Sequence, residues 1–207
     1  MRKTVEGIIL AAGLSTRMGR QKLTLEVHGA PVISRVVRAA LESDLNRIIL
    51  VTGPSNTQLA KALGADAGHE RLFIAVNDRP ERGMSSSLRT GIMMLSKESP
   101  GVMLILGDQP FLTVTVINKL LAEFDKESDQ IIAPLIQGRR TNPVIFPASL
   151  FPELAKVEGD VGGRPVLRNN PDRVVGIEMG GYYDDVDLDN ADDLQRIRES
   201  SRNSEFV

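Results

Sequence analysis

Residues 9–23 read ILAAGLSTRMGRQKL. An apolar run passes directly into a loop of small residues, hydroxyls, arginines and a lysine. A short apolar run closed by glycine reads as a buried strand, and Gly13 and Gly19 permit backbone geometry that side chains forbid. A strand-to-helix loop of this kind can turn its N–H groups inward to hold phosphate oxygens. Arg17 and Lys22 add the positive charge that a triphosphate needs. The loop is neither a Walker A sequence, in which lysine directly follows the second glycine, nor a GxGxxG dinucleotide fingerprint. Taken alone, a basic glycine-containing loop is more often a surface turn than a phosphate cradle.

Working outward, apolar runs recur at GIILA (7–11), RIILV (47–51), LFIAV (72–76), VMLILG (102–107), QIIAPL (130–135) and NPVIF (142–146). Between them lie segments with helical spacing: Val32, Ile33, Val36, Val37, Ala40 and Leu41, then Leu88, Ile92 and Leu95, then Ile117, Leu120, Leu121 and Phe124. Alternating strands and helices predict an α/β fold with parallel pairing. The central strands lack apolar/polar alternation, as expected when helices cover both faces of the sheet. Pro31 suits the first position of its helix. Asn190, followed by Asp192 and Asp193, reads as the start of a final helix through Arg198, and the polar tail after residue 200 is expected to fray.

The totals narrow the class. A chain of 207 residues favours one domain, expected to span 1–200. Net charge of −2 gives no global attraction to nucleic acid or to an anionic membrane. There is no cysteine, hence no disulfide, thiolate metal site or cysteine nucleophile. Nothing in the sequence approaches a membrane-spanning length, and the expectation is a soluble, cytoplasmic protein. His28 and His69 are far apart without ligand or triad spacing and read as surface residues. Met93 and Met94 read as core filler.

Carboxylates supply the remaining chemistry. In LILGDQPF (104–111) Asp108 ends an apolar run, where its side chain projects into the crevice at the carboxyl edge of an open sheet or caps a turn. In YYDDVDLDNADDL (182–194), Asp185, Asp187 and Asp189 alternate and so share one face. Such a stretch is either exposed or helps to hold a divalent cation, and Mg²⁺ is held by one or two carboxylates together with waters and substrate phosphates. One of Tyr182 and Tyr183 is expected in the core. The irregular loops GRRTNP (138–143) and GDVGGRP (159–165) are candidate walls of a site.

LAAGLSTRMGRQK, GMSSSL, GDQP, GDVGGRPVL and DLDNADDL occur here in the order and spacing of the MobA-like nucleotidyltransferases. The chain most closely resembles the molybdenum cofactor cytidylyltransferases of the MocA type, over roughly residues 5–196. The resemblance implies a Rossmann-like three-layer α/β/α sandwich with a mostly parallel central sheet, similar to the nucleotide-diphospho-sugar transferases, binding nucleotide and Mg²⁺ at its carboxyl edge. It puts Leu10, Ala11, Ala12 and Gly13 around the nucleotide and Arg17 and Lys22 on the triphosphate. Ser85, Ser86 and Ser87 match the segment near base and ribose, and also suit a helix cap. Asp108 matches the metal-binding aspartate and Asp189 the second ligand, with Asp187 as its neighbour. Ala12 favours CTP, since guanylyl-transferring relatives carry LAGG. Asp160 and Arg164 match a segment whose arginine could pair with an acceptor phosphate, or the two form a loop ion pair. Thr141, Asn142 and Pro143 replace the GHP of many MocA-type sequences on the acceptor side.

The implied reaction transfers CMP from CTP to molybdopterin with release of pyrophosphate, and the implied partners include a client molybdoenzyme or its maturation chaperone. Three alternatives share parts of this pattern: a molybdenum cofactor guanylyltransferase, a cytidylyltransferase for another small phosphate, and a non-catalytic molybdenum cofactor carrier.

Overall fold

The computed structural model describes residues 4–13, 22–181 and 183–186. The chain enters through β1 (Glu6–Ala11), makes a short antiparallel pair of β2 (Glu26–Val27) and β3 (Ala30–Pro31), and runs into α1 (Val32–Glu42). Then follow β4 (Ile48–Thr52), α2 (Thr57–Leu63), β5 (Leu72–Val76), α3 (Met84–Ile92), β6 (Gly101–Leu106) and α4 (Val114–Phe124). The later part holds β7 (Ile131–Ile136), β8 (Arg139–Arg140), β9 (Val144–Pro147), α5 (Phe151–Leu154), α6 (Arg164–Asn169) and β10 (Val174–Glu178).

The main sheet has the order β10-β7-β9-β6-β1-β4-β5, with β8 paired to the side of β7. β1 pairs in parallel with β4 and β6, β4 with β5, and β7 with β10. β9 is the exception in this order, running antiparallel to both β6 and β7. NPVIF therefore forms a strand as the sequence predicts, but in the opposite direction. The reversal is made by Gln137 and Gly138, both at positive φ (52° and 76°), a two-residue turn that suits the twist of a hairpin. The Glu178 carboxylate accepts from the N–H groups of both residues.

Apolar side chains are buried on both faces. One core joins Ile9, Ile105 and Met103 of the sheet to Val36, Val37, Ala40, Leu59, Ile117 and Leu120 of α1, α2 and α4. The other joins Ile8, Ile49, Val102 and Phe146 to Leu88, Leu154 and Val166 of α3, α5 and α6. α3 lies close on β1: a Cβ at Gly91 would sit 2.7 Å from Cγ2 of the buried Ile8.

Three local expectations are corrected. Pro31 caps α1 from outside, and the helix begins at Val32. Met93 is 81% exposed and Met94 is also exposed, because α3 ends at Ile92 and releases both. Gly13 is not at positive φ and has open space around its Cα, so neither conformation nor crowding requires glycine there. Tyr183 packs inside, and His28 and His69 are exposed. The final helix expected from Asn190, with Tyr182 and Gly19, lies outside the described residues.

Candidate active site

The carboxyl edge of the sheet gathers the ends of β1, β4, β5 and β6 and, through the reversal of β9, the start of that strand. Gly107 follows β6 and donates its N–H to the Leu10 carbonyl at 3.0 Å. A Cβ at Gly107 would lie 2.9 Å from that same oxygen, so only glycine lets the turn after β6 close against β1. Asp108 comes next. Its Oδ2 accepts from Lys22 Nζ at 2.6 Å, with the two side chains 20% and 19% exposed. The structure thus brings together the two groups that the sequence singled out 86 residues apart. From α1, Arg35 Nε donates to the Pro110 carbonyl at 3.0 Å and steadies the same turn. Burial lowers the Arg35 pKa from its ordinary value, and the group stays protonated all the same. The buried Gln109 side chain accepts from the Tyr183 hydroxyl at 3.2 Å, tying the segment after β10 to the Asp108 turn.

The serine segment is held by contacts from within the fold. Asn77, buried at the end of β5, donates from Nδ2 to Ser86 Oγ at 2.8 Å and to Ser87 Oγ at 3.0 Å. Ser86 Oγ also lies within hydrogen-bond distance of the Arg79 and Gly83 carbonyls as a donor. These two hydroxyls are therefore turned into the protein. Neither caps α3 in the usual sense, since Gly83 occupies the cap position. Ser85 is buried in the first turn of α3, and its N–H donates to the Gly159 carbonyl.

Beside Leu10 opens a cleft of about 520 Å³, counting its solvent-open part. Leu104, Leu106, Val144, Phe146 and Met84 make its apolar floor, while Asn142, Asp160 and Arg164 bring polar groups to its rim. Among the described residues Asp160 and Arg164 form no ion pair with each other. Asp160 Oδ1 instead accepts from the Met84 N–H at 2.9 Å, at the start of α3. Asp185 is likewise not free for a cation. Arg139 Nη2 donates to both of its oxygens, at 2.9 and 2.8 Å. Burial pushes the Asp185 carboxyl up, but hydrogen bonds from Thr141 and Arg139 and the charge of Arg139 together hold it below its ordinary value. Arg17, Asp187 and Asp189 lie outside the described residues. Among those described, no three acidic or histidine side chains cluster to hold a metal.

Residues 7–174 match the MobA-like NTP transferase domain. The chain belongs to that family. Among its relatives, the purine catabolism protein PucB of Bacillus subtilis (strain 168) is 30% identical over 92% of this chain and 95% of that protein. Nicotine blue oxidoreductase of Paenarthrobacter nicotinovorans is 29% identical over 93% and 96%. The molybdenum cofactor cytidylyltransferase of Escherichia coli (strain K12) is 27% identical over 91% and 88%. The fold matches the crystal structure of a homologue of the Mycobacterium tuberculosis protein rv0371c from mycobacterium sp. strain JC1. That match has a TM-score of 0.85 at 23% identity and covers 99% of this chain and all of that one. The M. tuberculosis protein has also been solved as a manganese complex, with a TM-score of 0.79 at 23% identity, covering 95% and 99%. With these matches the mixed, mostly parallel sheet is that of the nucleotide-diphospho-sugar transferase fold, and the chain is a nucleotidyltransferase of the MobA-like family.

Sequence reasoning passed over Asn77 and Gly107. Asn77 carried a readable signal, a polar residue directly after an apolar strand, as at Asp108. Gly107 carried none, since its role is set by the distance to a carbonyl 97 residues away.

Proposed function

We propose that this chain is a Mg²⁺-dependent cytidylyltransferase, a single domain over residues 1–200, acting in the cytoplasm. It transfers CMP from CTP to a terminal phosphate of molybdopterin and releases pyrophosphate. The observation that carries the proposal is the meeting of Lys22 and Asp108, 2.6 Å apart, beside the end of β1 and next to an apolar cleft. A phosphate-binding cation and a carboxylate at one edge suit a nucleoside triphosphate, and the adjoining cleft, with apolar walls and the polar groups of Asn142, Asp160 and Arg164, suits a flat heterocyclic acceptor that carries hydrogen-bonding groups and a phosphate.

In the proposed reaction an oxygen of the acceptor phosphate bonds to the α-phosphorus of CTP. The bond from that phosphorus to the α–β bridging oxygen breaks, and its electron pair leaves on pyrophosphate. The acceptor is anionic at neutral pH, so no strong base is required. Lys22, with Arg17, stabilises the charge moving onto pyrophosphate, and alignment of the two substrates does much of the rest. Leu10, Ala11, Ala12 and Gly13 border the nucleotide, Ser85 faces it, and Arg164 with Asn142 orients the acceptor.

The donor at Asp108 fits Mg²⁺: a hard oxygen at a strand end, partly open to solvent, able to share the ion with waters and phosphates. Asp189 supplies the second carboxylate and Asp187 is its neighbour. When bound, Mg²⁺ neutralises phosphate charge. The product passes to a client molybdoenzyme or its maturation chaperone.

Pyrophosphate release with molybdenum-loaded molybdopterin and Mg²⁺, compared across CTP, GTP, UTP and ATP, tests the reading. A strong CTP preference is expected. A GTP preference would make the chain a guanylyltransferase, release only with another small phosphate would replace the acceptor, and stable binding of the cofactor without any release would make it a carrier.

A further inference from the structure

The loop that carries Arg164 and the helix that carries Ser85 are joined directly. Asp160 accepts the Met84 N–H at 2.9 Å, and the Gly159 carbonyl accepts the Ser85 N–H at 3.1 Å. These are N–H groups of the first turn of α3, which have no carbonyl partner inside the helix. The contact is close on both sides. A Cβ at Gly83, which lies at φ +83°, would stand 3.0 Å from the Asp160 backbone, and one at Gly162 would stand 2.7 Å from Met84 Sδ. Gly159 and Gly162, both at positive φ, bracket Asp160 and Val161. Met84, Asp160, Gly162 and Arg164 all line the cleft beside Leu10.

We infer that Asp160 is a positioning residue that fastens the acceptor-side loop to the first turn of α3, so that the nucleotide site depends on a residue standing in the acceptor cleft. The inference rests on the proposal that the start of α3 faces the nucleotide. Asp160 then acts through Met84 and Ser85 and needs no contact with either substrate. Its carboxylate does so as a hydrogen-bond acceptor, supplying from another segment the cap that Gly83 cannot.

The test is calorimetric binding of CTP and of GTP, each with Mg²⁺ and without any acceptor, to the full chain. Asp160→Ala raises the Kd of the better-bound nucleotide by about fivefold, the usual loss for a helix cap. Asp160→Asn, which keeps the accepting oxygen without the charge, recovers most of that affinity. Gly83→Ala, which forces the same joint apart from the helix side, weakens binding as well and stands in should Asp160→Ala fail to fold. Circular dichroism and thermal melting establish that the compared proteins are folded.

Unchanged nucleotide affinity in folded Asp160→Ala overturns the inference and leaves Asp160 to the acceptor alone. Equal damage from Asp160→Asn and Asp160→Ala overturns it too, since the charge would then act directly. Failure of the wild-type chain to bind either nucleotide overturns the underlying nucleotide reading instead, and the inference falls with it.

Discussion

Replacing Lys22 with glutamine is expected to tighten divalent metal binding in the nucleotide-free protein while weakening nucleotide binding. Lys22 Nζ stands 2.6 Å from Asp108 Oδ2, with both side chains about four-fifths buried. At an effective dielectric near 20, unit charges at that distance attract by about 6 kcal/mol. Desolvation and side-chain ordering cancel most of this, leaving a net contact of about 1–2 kcal/mol. A cation arriving at Asp108 must displace that contact and then tolerate the ammonium beside it. Removing the ammonium therefore lowers the metal Kd by about 5- to 30-fold. Manganese titration followed by electron paramagnetic resonance at low ionic strength reads this directly, because free and bound Mn²⁺ differ in signal. The same variant should bind CTP about tenfold or more weakly, having lost a charge-assisted contact to phosphate. Manganese affinity that is unchanged or reduced in Lys22→Gln would refute the reasoning, since Asp108 would then not be the carboxylate that the metal takes.

Asp108→Ala is expected to lower turnover by orders of magnitude while the protein stays folded, with a melting temperature lower by a few degrees for the lost Lys22 contact, and near-normal pyrophosphate release would remove Asp108 from the reaction. Gly107→Ala forces a Cβ against the Leu10 carbonyl at 2.9 Å and should cost about 1–3 kcal/mol of stability. It should also slow turnover by shifting Asp108, and denaturant unfolding beside steady-state rates checks both. The Asp185 carboxyl is held below its ordinary value, so its pairing stabilises the folded protein above the ordinary carboxylate range near pH 3.9. That contribution is lost as pH falls through the lower folded-state value. In Arg139→Gln the carboxyl should titrate at higher pH in a carbon-detected NMR titration, and an unmoved titration would show that Arg139 does not set it.

Legibility in the sequence followed how local each cause is. β1, β4, β6 and β7 announce themselves as apolar runs because burial on two faces demands it, β5 reads as a strand although it is an edge with Ile74 and Val76 exposed, and α1 and α4 show through the spacing of one buried stripe. β10 (VVGIE) was missed because it is an edge strand, only partly covered, with a glycine in its middle. The direction of β9 was not legible, because an apolar run looks the same in either sense, and the deciding residues are the two at positive φ in the turn before it. In the site, Lys22 and Asp108 were readable by type and position. Ser86 and Ser87 were readable as a motif, but not the way they face, since that is set by Asn77 from another strand. Asp160 and Arg164 were grouped because they are neighbours in the chain, whereas the carboxylate is engaged by a helix 76 residues earlier.

The reversed strand β9 has an evolutionary consequence. By running backwards it delivers its first residue, Val144, and the preceding Asn142 to the rim where its neighbours deliver their last residues. The rim is thereby divided in sequence: Lys22 and Asp108, the proposed nucleotide side, come early in the chain, whereas most of what lines the cleft beside them, Asn142, Asp160 and Arg164 included, is encoded after residue 137. A lineage can rewrite that later stretch, lengthening a hairpin or exchanging Thr141–Asn142–Pro143, without touching the earlier one. One scaffold can in this way stay committed to its nucleotide while it is refitted, segment by segment, for a different cargo.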